Sequence, residues 1–118
     1  MSQYSLLVNS LKLLGLPYED QRNILPDFVG NIQDDIVSEF DNAFMLLPQL
    51  MEQNKVSYEA VKSILNCYLL MKINISNSEL SESAFENHES WERIRNLAKQ
   101  ALDEMKEELT YPDNIQID

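Results

Sequence analysis

One cysteine, Cys67, and one histidine, His88, are all that this chain offers for thiolate or imidazole chemistry, against twenty carboxylates. A zinc or di-iron centre needs His, Cys or Glu clustered at helix-compatible spacing, and the sequence holds no Glu-x-x-His pair. Nucleophilic catalysis needs an activated Ser or Cys beside a base. Cys67 lies in "SILNCYLLM", an apolar context without the cationic neighbours that stabilise a thiolate, so a Cys67 and His88 dyad is not expected. Gly15 and Gly30 stand alone and make no phosphate-binding loop. The stretch "DNAFMLLPQLME" lacks the alternating oxygen ligands and the mid-loop glycine of a calcium-binding hand. The sequence leads us to expect no enzyme, no cofactor and no metal.

The carboxylates themselves remain. Within "NIQDDIVSEFDNAF", residues 31–44, stand Asp34, Asp35, Glu39 and Asp41, and no Lys, Arg or His occurs between Arg22 and Lys55. These four are the candidate partner-binding residues. With a net charge of −11 and a pI near 4.3, the chain is repelled by nucleic acid and by anionic membrane surfaces. A basic protein is attracted to it instead, with an association rate that falls as salt rises. The alternative reading of the same charge is solubility.

The elements that must position these residues follow from composition and period. At 118 residues the chain fits one domain able to bury a core without disulfides. Two glycines and four prolines are too few for the frequent turns of a β-sandwich, so the expected class is all-α, a single compact bundle of about five to six helices, some short or kinked. We expect the helical domain to span 1–109, with 110–118 as a tail.

Leu6, Leu7, Leu11 and Leu14 predict a first helix over about 3–14, ended by a left-handed cap at Gly15. Pro17 opens a short second helix that closes at Pro26. In the opening stretch, Ile32, Ile36, Phe40, Ala43, Phe44 and Leu47 fall within an arc of about 120° and the carboxylates occupy the rest of the circumference. Pro48 breaks or kinks the chain near residue 47. Ser57 caps a helix over about 58–73 whose inner face is read as Tyr58, Val61, Ile64, Leu65, Tyr68 and Leu69, and "NISNSELSES" is a loop with Ser81 capping a short turn. The last helix carries Trp91, Ile94, Leu97, Ala98, Ala101, Leu102, Met105 and Leu109 on one stripe, with Arg95 and Lys99 on the opposite, solvated face. The expected core therefore includes Phe40, Phe44, Leu65, Tyr68, Trp91, Ile94, Leu97 and Leu102.

The run "WERIRNLAKQALDEM", preceded by "ELSESAFENHES" and far upstream by "LPDFVGNIQDDI", resembles small acidic helical immunity proteins of bacterial polymorphic-toxin and contact-dependent growth inhibition systems. The similarity covers about residues 25–109. It implies a bacterial protein that binds one cognate toxin domain and blocks its active site or an adjacent surface; the compartment expected from the sequence itself is the cytoplasm, since "MSQYSLLVNSLKLLG" does not read as a secretory signal and no apolar run approaches the roughly 18 residues that span a bilayer. In such systems the immunity gene usually follows the toxin gene. Many toxin domains are nucleases with basic clefts, which an acidic helix face suits. The alternative, from another class, is a non-catalytic helical adaptor or regulatory protein, homodimeric through the broad apolar surface of residues 64–71.

Overall fold

The first helix begins where a hydroxyl can satisfy its free amides. In the computed structural model, which describes residues 2–24, 32–77, 89–110 and 112, and only the backbone at 32–34 and 74–77, Ser2 accepts from the Ser5 N–H at 3.1 Å and opens α1 (Gln3–Gly15). The helix does not end in a left-handed glycine. Pro17 bars its predecessor from helical geometry, and Leu16 turns extended at ψ 153°. Gly15 serves close approach instead: a Cβ there would stand 3.4 Å from side-chain carbons of Lys99 and Leu109 and 3.5 Å from the Lys99 backbone nitrogen. The carbonyl of Pro17 then starts α2 (Tyr18–Ile24) by accepting from Asp20 and Gln21. Its expected close at Pro26 lies outside the described residues.

The acid-rich stretch forms α3 (Ile32–Phe44), and the chain breaks at Met45 and Leu46 before α4 (Leu47–Glu52), which carries Pro48 in its first turn where a missing N–H does no harm. Asn54 takes a positive φ of 58°, and the Lys55 N–H returns to the Leu50 carbonyl, closing α4 with a Schellman turn. Ser57 caps α5 (Tyr58–Asn77), its Oγ accepting from the Ala60 N–H at 3.2 Å. This helix runs four residues past the expected end, into the stretch read as loop; the Ser81 turn and His88 fall outside the described residues. The last helix, α6 (Glu89–Glu104), ends like α4, with Lys106 at φ 61° and the Glu107 N–H on the Leu102 carbonyl.

The regular structure among the described residues is helical throughout, and the all-α expectation holds. Helix α6 packs against both α5 and α1, and α1 packs in turn against α3. One buried cluster draws on five of the helices: Leu7, Leu11 and Leu14 from α1, Ile36 and Phe40 from α3, Leu50 from α4, Ile64 and Met71 from α5, and Trp91, Ile94 and Leu102 from α6. The expected tail, 110–118, is described only at Thr110 and Pro112.

Two expectations about faces are corrected. Helix α5 buries Ala60, Ser63, Ile64, Cys67 and Met71, while Leu65, Leu69 and Tyr58 point outward at 43%, 50% and 74% exposure. Apolar residues cover most of this helix's circumference, so period alone could not select a face. Close packing selects it: Ala60, Ser63 and Cys67 are small, and they let α5 approach α6, where Ser63 Oγ donates to the Glu104 carboxylate and Cys67 Sγ lies 3.6 Å from the Ile94 carbonyl. The second correction is Arg95, expected on the solvated face with Lys99 but buried, its guanidinium donating from Nε and NH2 to Gln21 Oε1 at 3.3 and 3.1 Å. Tyr68, Phe44 and Leu97 are half-buried.

Trp91 is 3% exposed and belongs to the core. Trp91→Ala should therefore destabilise by about 3–5 kcal/mol in chemical denaturation, whereas Leu65→Ala on the outer face should cost less than about 1 kcal/mol. Equal losses would place Leu65 inside and contradict the packing of α5.

Candidate functional site

Helix geometry divides the four carboxylates into two rows. Asp34 and Asp41 are seven residues apart and share one flank of α3, while Asp35 and Glu39 are four apart and share the other, with Ser38 and Asn42 between them. The two flanks meet different neighbours. The side chain of Asp34 lies outside the described residues.

On the first flank Asp41 is not without a cation, as the linear sequence implied. Helix α5 brings Lys72 to it, with Nζ 3.2 Å from Oδ1 and both side chains 43% exposed. The same ammonium stands 5.1 Å from the centre of the Tyr68 ring, and Tyr68 stacks on Phe44 at 3.9 Å with the planes 8° apart. The hydrogen bond that Lys72 donates to Asp41 raises the Lys72 pKa against a smaller opposing effect of burial. An exposed pair of this kind adds little stability. Its effect is to fix where the charge sits and to neutralise this flank in part.

The second flank faces α1. Glu39 is half-buried, and its pKa is raised first by burial and then by the negative charge of Asp35. Beside it opens a cleft of about 160 Å³ lined by Leu6, Glu39, Asn42, Ala43 and Leu46. Leu6 was read with the inner stripe of α1, yet it is 44% exposed because it walls this cleft rather than filling the core. Leu6, Asn42, Leu46 and Lys72 are the residues that sequence reasoning did not bring to the site. Asn42 was visible as part of the polar face of α3; the others reach the site only through tertiary packing.

Two other surface features lie near. An apolar cleft of about 200 Å³ between Phe44, Met45, Leu47, Pro48 and Met51 flanks the α3–α4 turn on its other side, with Met45 75% exposed. On α5 the outward residues Leu65, Leu69 and Ile73 form a row at four-residue spacing. On the far side of α1, Tyr4 donates its hydroxyl proton to Glu107 Oε2 at 2.8 Å, and burial with that bond pushes its pKa up to about 12.

Burial pushes the Cys67 thiol up to about 12, far from a nucleophile at neutral pH. Among the described residues no three His, Cys, Asp or Glu side chains gather as a metal-holding group, and no helix is long and apolar enough to cross a membrane. No protein-family model matches the chain, and no curated protein or solved structure matches it.

The strain on Glu39 has a measurable sign. A carboxyl whose pKa is higher in the folded chain than in the unfolded one favours folding below its ordinary value of 4.5, and that contribution is lost as the pH rises through the raised value. At neutral pH the ionised Glu39 therefore opposes folding. Glu39→Gln should raise the melting temperature at pH 7 by roughly one to two degrees, the size expected for relieving a like-charge pair one helical turn apart. At pH 3 the gain should vanish. A gain that persists at pH 3 would assign it to something other than charge.

Proposed function

We propose that this chain is a non-catalytic binding protein that docks a basic protein domain on the acidic face of α3, and that it acts as an immunity protein neutralising a toxin, the role implied by its resemblance to that class. The observation that carries the reading is the Asp35–Glu39 row. It holds two like charges one turn apart, one of them half-buried and raised in pKa, at the edge of an open cleft. A cation brought by a partner to the Glu39 carboxylate would favour its ionised form against burial and the charge of Asp35. The net charge of −11 adds long-range attraction to any basic surface.

In this reading Asp41 and Asp34 play a lesser part. Lys72 already shares its proton-bearing nitrogen with Asp41, so a partner must compete for that carboxylate or accept the pair as it stands. Carboxylates of the second flank would stand where the phosphates of a nuclease substrate sit, and they would form charge-assisted hydrogen bonds to the Arg and Lys of such a cleft.

The decisive measurement uses the product of the gene directly upstream, purified with its own catalytic residues disabled. Its association with this chain, followed by stopped flow, should slow steeply as salt rises. A variant carrying Asp34→Asn, Asp35→Asn and Glu39→Gln should fold as the native chain does, bind more slowly, and show a flatter salt dependence. Where a carboxylate is buried against an Arg, dissociation should also quicken, at a loss of about 2–5 kcal/mol. Native affinity and salt dependence in the triple variant would remove the acidic face from binding.

One observation favours the second reading, a helical adaptor or regulatory protein that forms a homodimer. Leu65, Leu69 and Ile73 are 43%, 50% and 56% exposed along one side of α5, and such a row is the kind of apolar surface that marks association. On that reading, analytical ultracentrifugation should give a dimer that Leu69→Glu converts to monomer. A native monomer over the micromolar range would dismiss it.

A further inference from the structure

The cleft beside Glu39 has walls of two kinds. Leu6 of α1, Ala43 of α3 and Leu46 of the α3–α4 turn supply apolar surface, while Glu39 and Asn42 supply a carboxylate and an amide on the same rim. At about 160 Å³ it far exceeds the roughly 10–15 Å³ in which one water can be seated. Asn42 and Ala43 belong to the last turn of α3, where the helix carries the negative end of its dipole, and that turn has no basic residue. Leu6 remains 44% exposed, so the apolar wall is open to an incoming group rather than closed by the fold.

We infer that this cleft is a pocket for a single arginine side chain presented by a basic protein, its aliphatic stem lying on Leu6, Ala43 and Leu46 and its guanidinium meeting the Glu39 carboxylate and the Asn42 side-chain oxygen. The inference rests on the proposed binding function and names the contact at its centre. Arginine fits these walls better than lysine. Its planar fork engages a carboxylate through two parallel hydrogen bonds, and it is less strongly hydrated than an ammonium, so it surrenders less on contact with leucine. The helix end and the carboxylate act in the same direction, since both favour a cation at the mouth of the cleft. The other flank of α3 is a poorer place for such an anchor, because Asp41 there is already engaged by Lys72.

The pocket can be tested without the cognate partner. ¹⁵N-labelled protein is titrated with N-acetyl-arginine amide, N-acetyl-lysine amide and the neutral N-acetyl-citrulline amide, and amide shifts are followed by NMR. The arginine compound should perturb Leu6, Glu39, Asn42, Ala43 and Leu46 as one group, more tightly than the lysine compound, and the citrulline compound should leave them unmoved. Glu39→Gln should weaken arginine binding about tenfold, the factor expected for loss of one charge-assisted contact. Leu6→Ala, at an exposed position that does not endanger folding, should weaken it by a smaller factor. Shifts scattered over all acidic residues, equal shifts with citrulline, or unchanged binding in Glu39→Gln would each overturn the pocket. The binding function fails separately: if the upstream gene product associates with full affinity in the Glu39→Gln variant, the arginine pocket is wrong and the function stands, whereas arginine amide seating here with no basic partner bound leaves the pocket and removes the function.

Discussion

A buried guanidinium holds the joint on which the helices are arranged. Arg95 of α6 donates to the side-chain oxygen of Gln21, and Gln21, itself wholly buried, donates from Nε2 to the carbonyls of Leu13 and Leu14 at 2.9 and 3.1 Å. Those carbonyls end α1 and have no partner within the helix, so a side chain from α2 satisfies them. The positive charge stands near the negative end of the α1 dipole, which favours it there. Gly15 completes the joint by letting the end of α1 come within van der Waals reach of Lys99 on α6. Replacing either polar partner would leave a buried group without its hydrogen bond, a loss larger than the bond's own contribution. Because α1 packs on α6 and also on α3, this joint anchors the helix whose opposite end carries Leu6 to the cleft.

That dependence explains which parts of the protein the sequence made legible. The stripe on α6 and the arc on α3 were readable because each helix has one apolar side and one polar side, and burial follows that division at Trp91, Ile94, Leu102, Ile36 and Phe40. Helix α5 was not, because its apolar residues nearly encircle it; the face that packs was chosen by the small residues Ala60, Ser63 and Cys67, a matter of fit rather than hydropathy. Arg95 was misread for a related reason. A charged residue at a helix position next to the apolar stripe is normally solvated, and the hydrogen bonds to Gln21, 74 residues earlier, help make its burial tolerable.

The candidate site shows the same limit. Its acidic residues were evident from one helix, but their environments were not. A linear gap in positive charge from Arg22 to Lys55 implied carboxylates without cations, yet a helix 31 positions away in sequence supplies Lys72 to Asp41. At Glu39, burial and after it the charge of Asp35 raise the pKa. The face that looked uniform in sequence is therefore two faces, one where Asp41 pairs with Lys72 and one where a half-buried Glu39 stands beside Asp35.

This division bears on whether the charge serves solubility or recognition. A solubility device works best on fully exposed side chains, where an ionised carboxylate is hydrated at no cost to the fold. Asp41 is compatible with that role. Glu39 is not, since it is half-buried, stands one turn from Asp35 and opposes folding when ionised. A glutamine there would keep the packing and remove the repulsion. Sequences that break a local rule without a compensating contact inside the fold tend to do so where something outside it supplies the contact. The cleft walled by Leu6 and Leu46 offers the space for that contact, and the Glu39 carboxylate with the negative end of the α3 dipole gives its sign. Charge, cavity and helix dipole agree on a cation with an apolar stem, which solubility does not require.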